Sequence, residues 1–178
     1  MQTTIAIPRP GADEHIDYYG TYIAKVPGDD AMPTLAAHIE TWVPSLRKLT
    51  DAQALHRYGP GKWSVKEVLG HVADGERVFS YRALRFGRAD TTPLPGFDEN
   101  VWVPAAGSDR RPIADLVEEL RAVRAATVAL FRSFDGDALV RRGDANGHAI
   151  SVRALAWIVA GHAIHHQAIL RERYGLGA

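Results

Sequence analysis

The sequence of 178 residues predicts an all-α protein: a four-helix bundle with a long crossover connection and a small hairpin before the last helix. Long stretches of the chain carry apolar residues at steps of three and four, the repeat of a helix with one buried face. Proline- and glycine-rich segments separate these stretches. The dipeptide Asn146-Gly147 is typical of a two-residue β-turn and indicates the hairpin. We therefore expect one domain over residues 1–178.

The N-terminal part of the chain is predicted to be an extended arm, residues 1–29, followed by a first helix from Asp30 to Leu49. Pro44 falls inside this helix and predicts a kink or a break there, because proline removes a backbone hydrogen bond. The arm carries aromatic residues that we expect to pack against the body of the protein: Tyr18, Tyr19 and Tyr22.

The second helix has the clearest start signal. Ser64 is followed three residues later by Glu67, and Trp63 precedes them, which is the pattern of a capping box behind an apolar residue. The apolar stripe continues to Phe86, and Gly87 is a suitable residue to end the helix.

The second half of the chain contains the predicted crossover, hairpin and two further helices. Arg88 to Asp109 forms a long connection rich in proline and glycine. The third helix begins near Pro112, and the hairpin lies between Leu139 and Ile150. Ser151 caps the fourth helix, which continues to about residue 173.

The composition excludes several classes of function. The 21 basic residues equal the 21 acidic residues, and the pI is about 7.1, which argues against a nucleic-acid-binding surface. Without cysteine the chain has no disulfide, no thiolate zinc site and no thiol nucleophile of its own. It lacks the pattern of a signal peptide and an apolar stretch near the ~20 residues that cross a membrane, so a cytoplasmic protein is expected.

Two histidines in the fourth helix are the strongest candidates for chemistry. His162 and His166 are four residues apart, so their side chains lie on one helical face and can converge on one metal ion. His165 is rotated by about 100° from His166 and is not expected to be a ligand. The same face carries a stripe with alternating steps of four and three: Leu155, Val159, His162, His166 and Ile169.

A third ligand is needed, and His71 is the best candidate because it lies beside the buried stripe of the second helix. Three histidines would leave one position open, as in catalytic zinc sites. Asp74 or Glu67 could orient His71 through a hydrogen bond. The alternative is that these histidines are hydrogen-bonded structural residues of the core. The remaining histidines lie in predicted loops or away from this stripe: His15, His38, His56 and His148.

Two sequence motifs resemble those of the DinB-like (DinB/YfiT) helical-bundle superfamily. They are W-S-V-K-E-V-L-G-H at Trp63–His71, with acidic residues at Asp74 and Glu76, and G-H-A-I-H-H at Gly161–His166. The resemblance implies a four-helix bundle, frequently dimeric, that binds a divalent metal, most often nickel or zinc. It assigns the metal ligands to His71, His162 and His166.

The resemblance leaves three functions open. The first is a metal-dependent thiol S-transferase, in which a low-molecular-weight thiol cosubstrate attacks a small electrophile. The second is a metal-dependent hydrolase, with Asp74 or Glu76 as candidate catalytic base. The third is a non-catalytic metal-binding or stress-related protein. A roomy pocket lined by Phe97 and Trp102 would favour an enzyme, and a closed site with a fourth protein ligand would favour the third function.

The bundle is expected to form a homodimer and to have a small-molecule substrate, without nucleic acid or membrane as partners. The helices contain more large apolar residues than one small core obviously needs, and Trp157 lies away from the stripe of the fourth helix. The residues expected to face a partner subunit are Trp42, Phe131, Trp157 and the aromatic connection.

Overall fold

The computed structural model describes residues 6–176 as a bundle of helices with one two-stranded antiparallel sheet. Short 3₁₀ turns occupy Ala12–Glu14, His38–Thr41 and Ser108–Arg110. The helices and strands are α1 (Asp17–Ile23), α2 (Ala31–Ala37), α3 (Val43–Leu46), α4 (Asp51–Ala54), α5 (Val65–Gly87), α6 (Glu99–Ala106), α7 (Ile113–Arg132), α8 (Gly136–Val140), β1 (Arg142–Ala145), β2 (His148–Ser151) and α9 (Val152–Tyr174).

The predicted all-α bundle is confirmed, and its four members are α2 with its continuation through α3, α5, α7 and α9. The helix α5 packs against α7 and α9, and α2 packs against the same two helices from the other side. Apolar side chains from these four elements form two buried clusters, one towards each end of α9.

The predicted crossover follows from the direction of α5 and α7. Contacts of α5 with α7 and with the residues just after it rise together in residue number: Arg77 with Glu119, Ser80 with Thr127 and Gly87 with Phe134. The helices are therefore parallel, and residues 88–112 must return along a helix of 23 residues, about 35 Å long. The α2–α3 segment runs antiparallel to α7, since residue numbers fall on α7 as they rise from α2 to α3: Leu35 with Arg124, Glu40 with Arg121 and Arg47 with Glu118.

The crossover is more structured than the sequence predicted, because it contains the helix α6. Asp98 caps this helix, and Gly107 ends it with a left-handed backbone at φ 63°. Upstream, the backbone of Leu94 pairs with the hairpin through two hydrogen bonds of 2.9 Å, to Asp144 and from Asn146. The connection is thereby held beside the bundle at both ends.

The N-terminal capping and turn predictions are confirmed, whereas Gly87 is still the last residue of α5 and Arg88 takes the C-cap position. The Ser64 hydroxyl accepts a hydrogen bond from the Glu67 backbone N–H, and the Glu67 carboxylate accepts one from the Ser64 backbone N–H. The Ser151 hydroxyl caps α9. Asn146 and Gly147 have φ angles of 59° and 78°, the left-handed pair that a tight β-hairpin turn requires.

Two predictions for the N-terminal part need correction. The described part of the arm is not extended throughout, because Asp17–Ile23 form α1 and pack against α9. The helix predicted from Asp30 to Leu49 breaks after Ala37, at a 3₁₀ turn, and not at Pro44. Pro44 lies in the first turn of α3, where its missing N–H would have no helical partner in any case.

The expectation that Trp157 faces a partner subunit is wrong. Its side chain is fully buried, its indole N–H donates to the carbonyl of Ile7 at 3.0 Å, and the Arg9 guanidinium lies 4.1 Å from its ring centre. Trp42 and Phe131 are buried as well. The N-terminal segment covers the face of α9 that was expected to contact a partner subunit. The homodimer remains a prediction that rests on the family resemblance.

No helix in residues 6–176 is long and apolar enough to cross a membrane. The single domain over 1–178 and the cytoplasmic location remain predictions.

We expect Gly161→Ala to destabilise the protein by about 1–3 kcal/mol. A Cβ atom at Gly161 would lie 2.1 Å from the backbone oxygen of Tyr22, so α1 would have to move away from α9. Urea unfolding of the variant measures the loss. Gly136→Ala is the control, because a Cβ atom there meets nothing within 4 Å. Equal stability of the two variants would show that α1 is not held against α9 as described.

Candidate metal centre

The structure brings together the three histidines that the sequence selected. His71 comes from α5, and His162 and His166 come from successive turns of α9. The Nε2 atom of His162 lies 3.0 Å from the Nε2 atom of His71 and 3.0 Å from that of His166. The three potential ligand atoms all lie within 4.8 Å of one another. The antiparallel packing of α5 and α9 therefore creates a compact cluster of three imidazole nitrogens.

The environment keeps these imidazoles neutral. Burial lowers the pKa of His71 to about 4, and it lowers the pKa of His162 and His166 well below the ordinary value. The proximity of the other imidazoles lowers the pKa of His162 and His166 further. At neutral pH all three rings can offer a lone pair, which coordination of a metal requires.

The cluster fits a divalent metal ion better than a hydrogen-bonded network. Each Nε2 atom carries either one proton or one lone pair, so the His162 Nε2 atom cannot form good hydrogen bonds with two neighbours at 3.0 Å. A cation can accept all three lone pairs. Two metal–nitrogen bonds of about 2.0–2.1 Å allow their nitrogens to be up to ~4.2 Å apart. This range includes the separations of 3.0 Å from His162 to His71 and to His166.

The three histidines open into a cavity of about 320 Å³. Aromatic rings form most of its wall, and α1 contributes the tyrosines that were predicted to pack against the body. The lining residues besides the histidine cluster are Tyr18, Tyr19, Tyr22, Trp63, Phe79, Arg82, Gly96, Phe97, Glu99, Asn146 and His165. Tyr18 is 58% exposed, so the cavity reaches solvent at α1.

The two aromatic residues of the crossover have different positions. Phe97 lines the cavity, as expected for an enzyme pocket. Trp102 packs on Phe97 with ring centres 4.8 Å apart, but it lines a neighbouring groove between α5 and the crossover, which Asp74, Tyr81 and Leu94 also line. Trp102 therefore supports the wall from behind.

Glu99 is a functional candidate that the sequence reasoning missed. Glu99 lines the cavity at the start of α6 and is half-buried. Its negative charge raises the pKa of His71, which opposes the larger effect of burial. The sequence does contain a signal for this helix: the capping residue Asp98 lies within the crossover and is followed by an acidic residue in the first helical turn.

The sequence matches the family model of the DinB superfamily over residues 34–170. The chain belongs to the DinB superfamily. A protein of Oceanobacillus iheyensis named "Putative metal-dependent hydrolase" is 25% identical to this DinB protein over 137 residues, which are 74% of this chain and 78% of the relative.

Two solved structures share the DinB fold described above. YfiT from Bacillus subtilis, described as "a probable metal-dependent hydrolase with an unusual four-helix bundle topology", has a TM-score of 0.70, 19% identity and 93% coverage of both chains. A mycothiol-dependent maleylpyruvate isomerase has a TM-score of 0.63 and 15% identity. The match covers 77% of this chain and 58% of the isomerase. At these identities the two structures support the fold.

The carboxylates proposed to orient His71 in this DinB protein are engaged elsewhere. Glu67 caps α5 and forms an ion pair with Arg57. Asp74 accepts a hydrogen bond of 3.2 Å from Arg77 and lines the neighbouring groove. Neither carboxylate hydrogen-bonds to a histidine among the described residues, and the buried Nδ1 atom of His166 has no partner there.

The candidate bases Asp74 and Glu76 do not line the cavity of this DinB protein. Glu76 is buried, and its two carboxylate oxygens accept hydrogen bonds of 2.7 and 2.8 Å from Arg124. Both residues follow His71 by a few positions, but the helical repeat turns them towards α7 and the groove.

The other histidines of this DinB protein lie outside the cluster, as predicted. His165 lines the cavity and packs against Tyr22 with ring centres 5.4 Å apart, but it is not part of the group of converging nitrogens. His38 forms a hydrogen bond of 2.9 Å with Gln167.

The metal-free DinB protein is expected to lose stability as the pH falls from about 6.5 towards 4. The folded-state pKa of His71 is lowered to about 4, so below the ordinary pKa of 6.5 the unfolded chain binds a proton that the folded chain does not. Urea unfolding of chelator-treated protein at several pH values measures this effect. In a His71→Phe variant the free energy of unfolding should depend less steeply on pH than in the wild type. The control is His148→Phe at an exposed position, which should have the same pH dependence as the wild type. Identical profiles for all three proteins would contradict the assignment.

Proposed function

We propose that this DinB protein is a metal-dependent enzyme that hydrolyses a small molecule in the aromatic cavity. One observation carries the proposal: the three neutral histidines and Glu99 line the same solvent-reachable cavity. A site whose fourth ligand came from the protein would favour a structural role. Among the described residues the cluster contains three histidines and no further ligand.

His71, His162 and His166 would hold the ion, with nickel and zinc as the first candidates. Such an ion, when bound, activates a water or thiol nucleophile and polarises the bond under attack. Glu99 can accept the proton that the attacking water loses and return it to the leaving group. Asp74 and Glu76 are not assigned this role, since their carboxylates bind arginines.

A thiol S-transferase is the second candidate, and the open cavity supports it. Because the chain has no cysteine, the sulfur nucleophile would be a low-molecular-weight thiol that enters beside the exposed Tyr18. The mycothiol dependence of the isomerase with a similar fold makes such a cosubstrate worth testing. In this reaction Glu99 would accept the thiol proton, and the thiolate sulfur would bond to the electrophilic carbon while the bond from that carbon to the leaving group breaks, which releases chloride in the case of monochlorobimane.

The test is a comparison of the metal-loaded wild type with Glu99→Gln and His166→Ala. Hydrolysis is followed with 4-nitrophenyl acetate, and transfer is followed with monochlorobimane and glutathione, bacillithiol or mycothiol. We expect Glu99→Gln to keep its metal and to lose about 10²–10⁴-fold in rate, the usual contribution of a general base. His166→Ala should lose both metal and activity.

The outcomes separate the candidate functions. Turnover of the ester without thiol supports the hydrolase, and turnover only with a thiol supports the transferase. Full activity of metal-loaded Glu99→Gln would remove Glu99 from the mechanism. Stoichiometric metal without turnover in either assay would favour a non-catalytic metal-binding protein.

A further inference from the structure

Arg82 is a buried cation that the proposed reaction does not use. It lies on α5, and only 3% of its surface is exposed. Its side chain lines the cavity that contains the histidine cluster. A guanidinium group is rarely buried without an acidic partner, since removing its charge from water is unfavourable.

The contacts of Arg82 do not neutralise its charge. Its Nη2 atom donates a hydrogen bond of 2.8 Å to the carbonyl oxygen of Pro95, and its guanidinium lies 5.9 Å from the ring centre of Phe79. The neighbouring phenol of Tyr19 is uncharged, because burial raises its pKa more than Arg82 lowers it. Among residues 6–176, Arg82 forms no ion pair with a carboxylate. These contacts give the positive charge of Arg82 no direct ionic partner.

Arg124 on α7 shows what a compensated arginine looks like in the same bundle. It is equally buried, but its Nε and Nη2 atoms donate to the two oxygens of Glu76. Arg82, by contrast, has no carboxylate partner among the described residues, and its side chain lines both the cavity and the neighbouring groove. A planar acceptor that enters the cavity can therefore approach its guanidinium group.

We propose that Arg82 binds a carboxylate group of the substrate, so that the enzyme acts on a small aromatic or otherwise apolar carboxylic acid. The guanidinium fork matches the two oxygens of a carboxylate. The ring of Phe79 is 5.9 Å from the Arg82 guanidinium and 6.1 Å from the His162 ring, so it lies beside both groups. A molecule held at Arg82 would lie along this aromatic wall with its other end towards the histidines. That the bound carboxylic acid is a substrate of the enzyme rests on the proposed function.

The experiment compares benzoate with benzamide, which has the same shape without the charge. NMR titrations of the metal-loaded protein at constant ionic strength measure both dissociation constants. We expect benzoate to bind about tenfold or more tightly than benzamide, and Arg82→Gln to abolish this preference. Arg132→Gln is the matched control, because it removes the same charge from an exposed position on α7 and should leave the preference unchanged.

Arg82→Lys keeps the charge without the fork and should retain only part of the preference. If Arg82→Gln does not fold, the titrations of Arg82→Lys test the proposal in its place. Equal binding of benzoate and benzamide to the wild type, absence of benzoate binding at millimolar concentrations, or an unchanged preference in the folded Arg82 variants would overturn the proposal.

The same titrations with the metal-free His166→Ala variant separate this proposal from the metal centre. We expect the preference for benzoate to persist there, because Arg82 and not the ion recognises the carboxylate. If the preference disappears with the metal and survives in Arg82→Gln, the carboxylate binds the ion. That result would overturn the role of Arg82 and leave the metal centre in place.

Discussion

Replacing His166 by alanine is expected to remove tight metal binding, and so are His71→Ala and His162→Ala, whereas His165→Ala keeps it. The Nε2 atoms of the first three residues converge within 4.8 Å, while His165 is turned away from them by one helical step. Removal of one ligand leaves two imidazoles, too few to hold the ion tightly. The measurement is the ratio of metal to protein by elemental analysis after dialysis against a weak chelator.

The His165 variant is the control, since it changes a cavity-lining imidazole without touching the cluster. Metal content is a better readout than melting temperature. Loss of the ion removes a ligand that stabilises the folded state, but an apolar side chain also relieves a buried polar group. If His165→Ala lost its metal and His166→Ala kept it, the assignment of the three ligands would be wrong.

Replacing Glu76 by glutamine is expected to lower the free energy of unfolding by about 3–5 kcal/mol, because it leaves Arg124 buried without its counter-charge. The double variant Glu76→Leu with Arg124→Met should recover most of this loss, since it removes both charges. Urea unfolding of the single and double variants measures the two effects.

An exposed pair provides the control for Glu76. Arg121 and Glu40 are 2.8 Å apart near the surface, and Arg121→Met should cost at most about 1 kcal/mol. A Glu76→Gln variant that is as stable as the wild type and keeps its metal, but has no activity, would contradict the structural role. Glu76 would then regain the catalytic role that its position in the sequence first suggested.

The helices and the histidine cluster could be predicted because both depend on local periodicity. The four-residue step between His162 and His166 places them on one face whatever the rest of the chain does. The capping box at Ser64 fixes the start of α5 and hence the phase of His71. The hairpin depends on two residues that adopt left-handed backbone angles.

The cavity wall could not be predicted, because it is formed by segments with weak or no periodicity. The helix α6 has only eight residues and contains Pro104, so it resembled a loop and Glu99 was overlooked. Arg82 could not be predicted either, because α5 contains both exposed and buried arginines and the residues around them in the sequence do not distinguish the two kinds.

Trp157 shows where the sequence did contain a usable signal. Residues 154–163 are buried without interruption, as in a helix that is covered on every side. This run is almost entirely apolar in the sequence, so it predicts a central helix with no free face. We interpreted α9 from its sequence as a helix with one buried stripe and assigned its other face to a partner subunit. The N-terminal segment occupies that face.

The close packing of the N-terminal segment on α9 determines when the cavity can form during synthesis. The indole of Trp157 binds a carbonyl oxygen 150 residues earlier in the chain, and the contact between His71 and His162 spans 91 residues. A ribosome-bound chain that has completed α5 and α7 still lacks two of the three imidazoles and the support for α1. Chains emerge from the N-terminus, and contacts across long separations form late. The three histidines can therefore converge only after α9 has been synthesised and has packed against α5.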